Sequence, residues 1–161
     1  MLNFSECPDV RIAVPEDEAE LLRLMQLACE EDAQHPIDLE KVRAMVHTHF
    51  EKRGGMIGVV GEKVGELRGY ILMIVIPIWF SEDCQVQELS LFVAPDHRKT
   101  SYAKQLMNFA KKTADGVGLD LTIGVFSNSR TEAKVRLYER TFAKAGAFFM
   151  YHGDQRQRDV A

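Results

Sequence analysis

Twelve consecutive residues, Phe92-Val93-Ala94-Pro95-Asp96-His97-Arg98-Lys99-Thr100-Ser101-Tyr102-Ala103, concentrate most of the chemistry this chain offers. They follow an apolar strand and run straight into a helix that begins Lys104-Gln105-Leu106-Met107. The first N–H groups of a helix have no internal partner, and its dipole places about half a positive charge there. With Arg98 and Lys99 adding two cations, the turn is a cradle for a phosphate or pyrophosphate. A cationic helix start that only keeps the surface soluble is the competing explanation. Just upstream, Glu88 sits inside the apolar run Val86-Gln87-Glu88-Leu89-Ser90-Leu91-Phe92, where a charge is costly unless paired or used. It is a candidate general base, or a glutamate bonded to a neighbouring loop near the strand's frayed start. Strict alternation would put Glu88, Ser90 and Phe92 on one face, with Ser90 placed to hold a water.

The elements around these residues follow from periodicity. A strand at Val10–Val14 leads through Pro15 into a helix, with Leu21, Leu24, Met25 and Ala28 at helical spacing. A second helix starts near Leu39 and ends before Gly54-Gly55. Met56–Val60 and Leu67–Ile76 read as antiparallel strands, with Pro77 marking a bulge or break. Gln85–Val93 precedes the cradle and Ser101 to about Asp115 forms its helix. A strand over Leu119–Phe126, a helix over Thr131–Ala145 and a last strand over Ala147–Tyr151 follow. Residues 1–161 make one domain, with a loose tail over 153–161.

Bulk properties narrow the function classes. The 161 residues carry a net charge of −4, which argues against a general nucleic-acid partner. Cys7, Cys29 and Cys84 lack metal-site or disulfide-framework spacing, and no metal is called for. The most apolar run, Tyr70–Phe80, is too short to cross a bilayer as a helix, so no membrane role is expected. The first six residues lack the basic and apolar regions of a signal peptide, which points to a cytoplasmic protein.

The turn resembles the acetyl-CoA signature of the GNAT superfamily of N-acetyltransferases, Arg/Gln-x-x-Gly-x-Gly/Ala after a strand ending Val-x-Pro. Arg98, Ser101 and Ala103 fill the fixed places, with Val93 and Pro95 upstream, and serine stands where glycine is usual. The wording of the turn is also similar to that of acetyltransferase-like proteins in phage genomes. The order of elements matches over about 140 residues. The resemblance implies an α/β (α+β) fold: a mixed, mostly antiparallel sheet of six to seven strands with helices on both faces. Gly153–Ala161 is a poor seventh strand, so that strand is either missing or supplied by a partner chain in a homodimer.

By the same resemblance, acetyl-CoA is the cofactor. Arg98, Lys99, Thr100, Ser101, Tyr102 and Ala103 would hold its pyrophosphate, and Phe92 and Val93 its pantetheine arm, in a gap between the strands Gln85–Val93 and Leu119–Phe126. Asn128 would bond the cofactor or a water, or cap the helix after it. Glu88 corresponds to a glutamate that often acts as base. Tyr138 corresponds to a tyrosine that protonates the leaving thiolate, but it stands eight residues before Gly146 rather than four, so the helix reads as one turn longer. Arg130 and Lys134 read as solvated charges on the adenosine side. The acceptor, a small-molecule or peptide primary amine, would meet two acidic loops, Glu30–Asp38 and Ile78–Asp83, which suit a cationic substrate. The implied activity is N-acetyl transfer by direct attack in a ternary complex. The rival is an acyl-CoA-binding or protein-interaction module that keeps the fold with little catalysis.

Overall fold

A computed structural model describes residues 7–32, 35–127 and 130–150 of the chain. Its strands and helices are β1 (Val10–Ile12), α1 (Glu18–Asp32), α2 (Leu39–Phe50), β2 (Gly55–Lys63), β3 (Glu66–Pro77), β4 (Cys84–Val93), α3 (Tyr102–Val117), β5 (Leu121–Thr122) and α4 (Thr131–Glu139). Single 3₁₀ turns at Pro15–Asp17 and Pro95–His97 lead towards α1 and α3. The strands lie in the order β1-β2-β3-β4-β5, antiparallel except for the parallel pair β4–β5.

Two apolar layers sandwich this sheet. Leu106, Phe109, Ala110 and Ala114 of α3 pack on Ile71, Met73, Val86 and Val93. On the other face, Leu21, Leu24 and Met25 of α1 and Val46 of α2 cover Tyr70, Leu72 and Phe92. β3 is buried on both faces over Gly69–Met73, which explains why its sequence reads as a continuous apolar run rather than an alternating one. Asp17 anchors the start of α1. Its buried carboxylate accepts two bonds from Arg11, at 2.6 and 2.8 Å, and one each from the N–H groups of Val14 and Gly65.

The α/β class and the helices on both faces match expectation, whereas the ends of the chain differ. The sheet has five strands among the described residues, not six or seven. The expected strand over Leu119–Phe126 forms ladder bonds only at Leu121–Thr122, because β5 turns away from β4 beyond that point. Residues 147–150 form no strand and leave Phe148 and Phe149 exposed. The helix expected to reach Ala145 stops at Glu139, where the N–H groups of Thr141 and Phe142 both turn back to the Tyr138 carbonyl. The tail over 153–161 and Tyr151 lie outside the described residues.

Candidate active site

β4 and β5 meet at only two register pairs, Val86 with Leu121 and Gln87 with Thr122. From Glu88 onward they diverge, and a cleft of about 330 Å³ opens between β4 and residues 124–126. Its walls come from β4, from the segment after β5, from α4 and from the end of α1. An irregularity in β4 sits at the point of divergence. Leu72 faces Ser90 and Met73 faces Glu88, so Leu89 has no partner on β3. Strict alternation therefore fails across this segment. Val86 packs in the α3 layer together with Val93, while Phe92 packs in the α1–α2 layer. Glu88, Ser90 and Phe92 nevertheless line the same cleft.

Glu88 lies at the vertex of the split. Burial pushes its carboxyl up to about 7, opposed by one bond from the Gly124 N–H at 3.3 Å. A carboxyl titrating near neutrality is suited to taking a proton at physiological pH. The Ser90 hydroxyl lies 2.8 Å from the Tyr70 hydroxyl. The Tyr70 phenol is itself held above its usual range, chiefly by burial. Tyr138 of α4 also faces the cleft, and its phenol is raised first by burial and then by the nearby charge of Glu88. The shorter α4 thus brings Tyr138 to the cleft from the last turn of the helix, not from the middle of a longer one.

At the end of β4 the turn leads into α3 with several of its first amides unbonded. Among the described residues the N–H groups of Ser101, Ala103 and Lys104 have no internal acceptor, and the Tyr102 N–H donates only to the Thr100 hydroxyl oxygen, at 3.3 Å. The Ser101 side chain does not cap the helix, because its hydroxyl accepts from the Gln105 amide at 2.9 Å. The turn is therefore open to an anion. Lys99 and Thr100 are exposed there, while the side chains of Tyr102 and Ala103 pack partly on the α3 layer.

Arg98 departs from expectation. Its side chain turns back over the cleft, where Nε donates to the Val93 carbonyl at 3.0 Å and the guanidinium carbon lies 5.4 Å from the Phe92 ring centre. The remaining fork of its guanidinium is paired with Glu31 of α1. The neighbouring Asp32 holds Lys134 of α4, and Ser127 bridges the two with contacts of 2.8 Å to each. Lys134 is thus part of an ion-pair network and not a solvated charge. These two acids, expected to face a cationic acceptor, are already partnered by cations of this chain. The other acceptor loop, Ile78–Asp83, does not line the cleft, and its Trp79 and Phe80 are 92% and 74% exposed. Asn128 lies outside the described residues.

The sequence model of the acetyltransferase (GNAT) family matches residues 19–143, most of the chain. The chain belongs to the GNAT family. No curated protein sequence matches it. Solved structures share the fold at low identity. An integron cassette protein from the mobile metagenome of Cole Harbour Salt Marsh superposes with a TM-score of 0.69 at 19% identity, covering 91% of each chain. An acetyltransferase of Trypanosoma brucei gives a TM-score of 0.68 at 15% identity, over 89% of this chain and 97% of that one. AAC(6')-Iy, solved with the bisubstrate analogue CoA-S-monomethyl-acetylneamine, gives 0.68 at 14% identity, over 91% and 97%. Family membership makes acyl transfer the class of chemistry, so the split strands and open helix start of this GNAT domain are its candidate active site. Among its described residues, no helix is long and apolar enough to cross a membrane.

Within the GNAT frame, three contacts in the cleft are not visible in the sequence. Gly124 bonds Glu88 through its backbone, which no side-chain motif encodes. Glu31 and Asp32 lie 67 and 102 residues from Arg98 and Lys134, and nothing in their local pattern links them.

Proposed function

We propose that this GNAT domain moves an acetyl group from acetyl-CoA to a primary amine. The single observation carrying this reading is the divergence of β4 and β5 after Gln87 and Thr122, with Glu88 at the vertex and the unbonded amides of α3 at the mouth. A diphosphate fits the Ser101, Ala103 and Lys104 amides, because helix-start donors complement an anion and no side chain plugs them. The backbone of Phe92 and Val93 forms the pantetheine edge, in the manner of an added strand. When bound, acetyl-CoA supplies an activated acyl carbon and a thiol leaving group.

The chain's own residues then have distinct duties. An alkyl ammonium with a pKa near 10.4 is neutral in only about one part in a thousand near pH 7, a deficit of about 4 kcal/mol. Glu88 takes the amine's proton, a role that typically contributes about 10²–10⁴-fold. The cleft walls fix the two reactants, and such positioning is worth about 7–11 kcal/mol, so it outweighs the base. In this reading Tyr138, which lines the cleft, returns a proton to the leaving sulfur. Acetyl-CoA titration followed by thiol release with polyamines, aminoglycosides and lysine peptides tests the assignment. Release with at least one amine is expected. Tight binding with no release from any amine would favour the rival reading of a CoA-binding module, to which Ser101 in the glycine position lends weight.

A further inference from the structure

Beside the sheet, and apart from the cleft, α2 carries a buried histidine with an unusual set of partners. His49, 8% exposed, lies in the last turn of α2. Its Nδ1 is 2.7 Å from the Met45 carbonyl of the same helix, and its Nε2 is 3.0 Å from the Met73 carbonyl of β3. Each ring nitrogen lies within hydrogen-bonding distance of a carbonyl oxygen, and the tautomer protonated on Nε2 donates to Met73. The first contact aims the ring and the second ties α2 to the sheet.

Gly55 at the start of β2 makes this tie sterically feasible. A Cβ built there would lie 2.3 Å from the Met73 carbonyl oxygen and 2.4 Å from His49 Nε2. Any side chain at residue 55 would sit where the hydrogen bond runs.

The bonded carbonyl belongs to a particular residue. Met73 is the β3 partner of Glu88, and the register shift that leaves Leu89 unpaired falls between Leu72 and Met73. His49 therefore grips the sheet backbone directly opposite the irregularity that aims Glu88. Packed interiors transmit small displacements because they lack free volume, so a shift of β3 here carries to β4. We propose that His49 is a positioning residue, fixing β3 opposite the irregular turn of β4 and thereby setting the place of the Glu88 carboxylate. The inference deepens the reading of Glu88 as base and rests on it.

The test follows the Glu88 carboxyl carbon by NMR across pH in the full chain, alongside steady-state kinetics. In His49→Leu, which cannot donate, the Glu88 midpoint moves down towards the ordinary carboxylate range as the site opens to water. There kcat falls about tenfold to a hundredfold, as for small misplacements of a reacting group, while KM for acetyl-CoA is unchanged. His49→Gln, whose amide can still reach a carbonyl, recovers most of both. It also carries the test if the leucine variant does not fold. Combining Gly55→Ala with His49→Leu costs no more than the worse single change, because both break one bond. The exposed His47→Gln on the same helix leaves the midpoint in place. A folded His49→Leu protein with an unmoved Glu88 midpoint would overturn the proposal. Failure of the base reading would show differently, as full turnover in Glu88→Gln.

Discussion

The Gly124 N–H donates to the Glu88 carboxylate at 3.3 Å, across the gap where β4 and β5 have just separated. It is a polar link spanning the two arms immediately beyond their last ladder pair, Gln87 with Thr122. Burial outweighs that link and leaves the carboxyl near 7. A carboxyl titrating near neutrality therefore stands at the closed end of a cleft whose open end carries unbonded helix amides.

From this follows the behaviour of Glu88→Gln. Turnover falls about 10²–10⁴-fold, while the affinity for acetyl-CoA measured by calorimetry is unchanged. The wild-type pH profile has a definite sign. A base works only when ionised, so kcat/KM falls about tenfold per unit below pH 7 and levels off above it. The glutamine variant lacks that limb.

Tyr138 faces the same cleft with a phenol held above its usual range, so it keeps its proton throughout the working pH range. It can donate to a leaving sulfur, but a thiol with an ordinary pKa near 8.5 leaves adequately without help. Tyr138→Phe should therefore lower kcat by about tenfold or less, well below the loss from Glu88→Gln. Single-turnover thiol release measures the comparison.

The mouth of the cleft yields two opposed predictions. Ser101→Asp sets a carboxylate beside the amides assigned to the diphosphate, and like charges brought together at a binding site cost several kcal/mol, so CoA affinity drops by about tenfold or more. Glu31→Gln removes the acid paired with Arg98 and leaves a full positive charge over the cleft. CoA should then bind more tightly, with the gain larger at low salt because screening is weaker there. Titration calorimetry at two ionic strengths reads both.

How legible these parts are in the sequence depends on how local their causes are. The cradle is readable because a strand, a basic turn and a helix start are contiguous, and the hairpin of β2 and β3 because a polar, glycine-rich turn separates two apolar runs. The register shift at Leu89 is not, since apolar residues occupy both faces of β4 and conceal a change of parity. Local pattern sends Arg98 outward to a phosphate, but its partner Glu31 is on a distant helix that only the fold brings close. The spacing from Tyr138 to Gly146 misleads because the count assumes a continuous helix where the chain turns out of α4 after Glu139.

Stability has its own pH signature at Asp17. Burial alone would push this carboxyl up, but Arg11 and the N–H groups of Val14 and Gly65 outweigh it and hold it below the usual carboxylate range. A depressed folded-state value means the stabilisation is complete above the unfolded value and is lost as pH falls through the folded one. Asp17→Asn should cost about 1.5–3 kcal/mol, the range for hydrogen bonds to charged groups, and should flatten the acid limb of the unfolding curve. Urea denaturation at neutral and acid pH checks this.

The decisive measurement is a crystal of the chain soaked with CoA. Pantetheine density should lie between β4 and the 124–126 segment, with the diphosphate on the Ser101, Ala103 and Lys104 amides and the sulfur pointing at Glu88 and Tyr138. CoA lodged elsewhere on the surface, with β4 and residues 124–126 closed on each other, would contradict the assignment of this cleft.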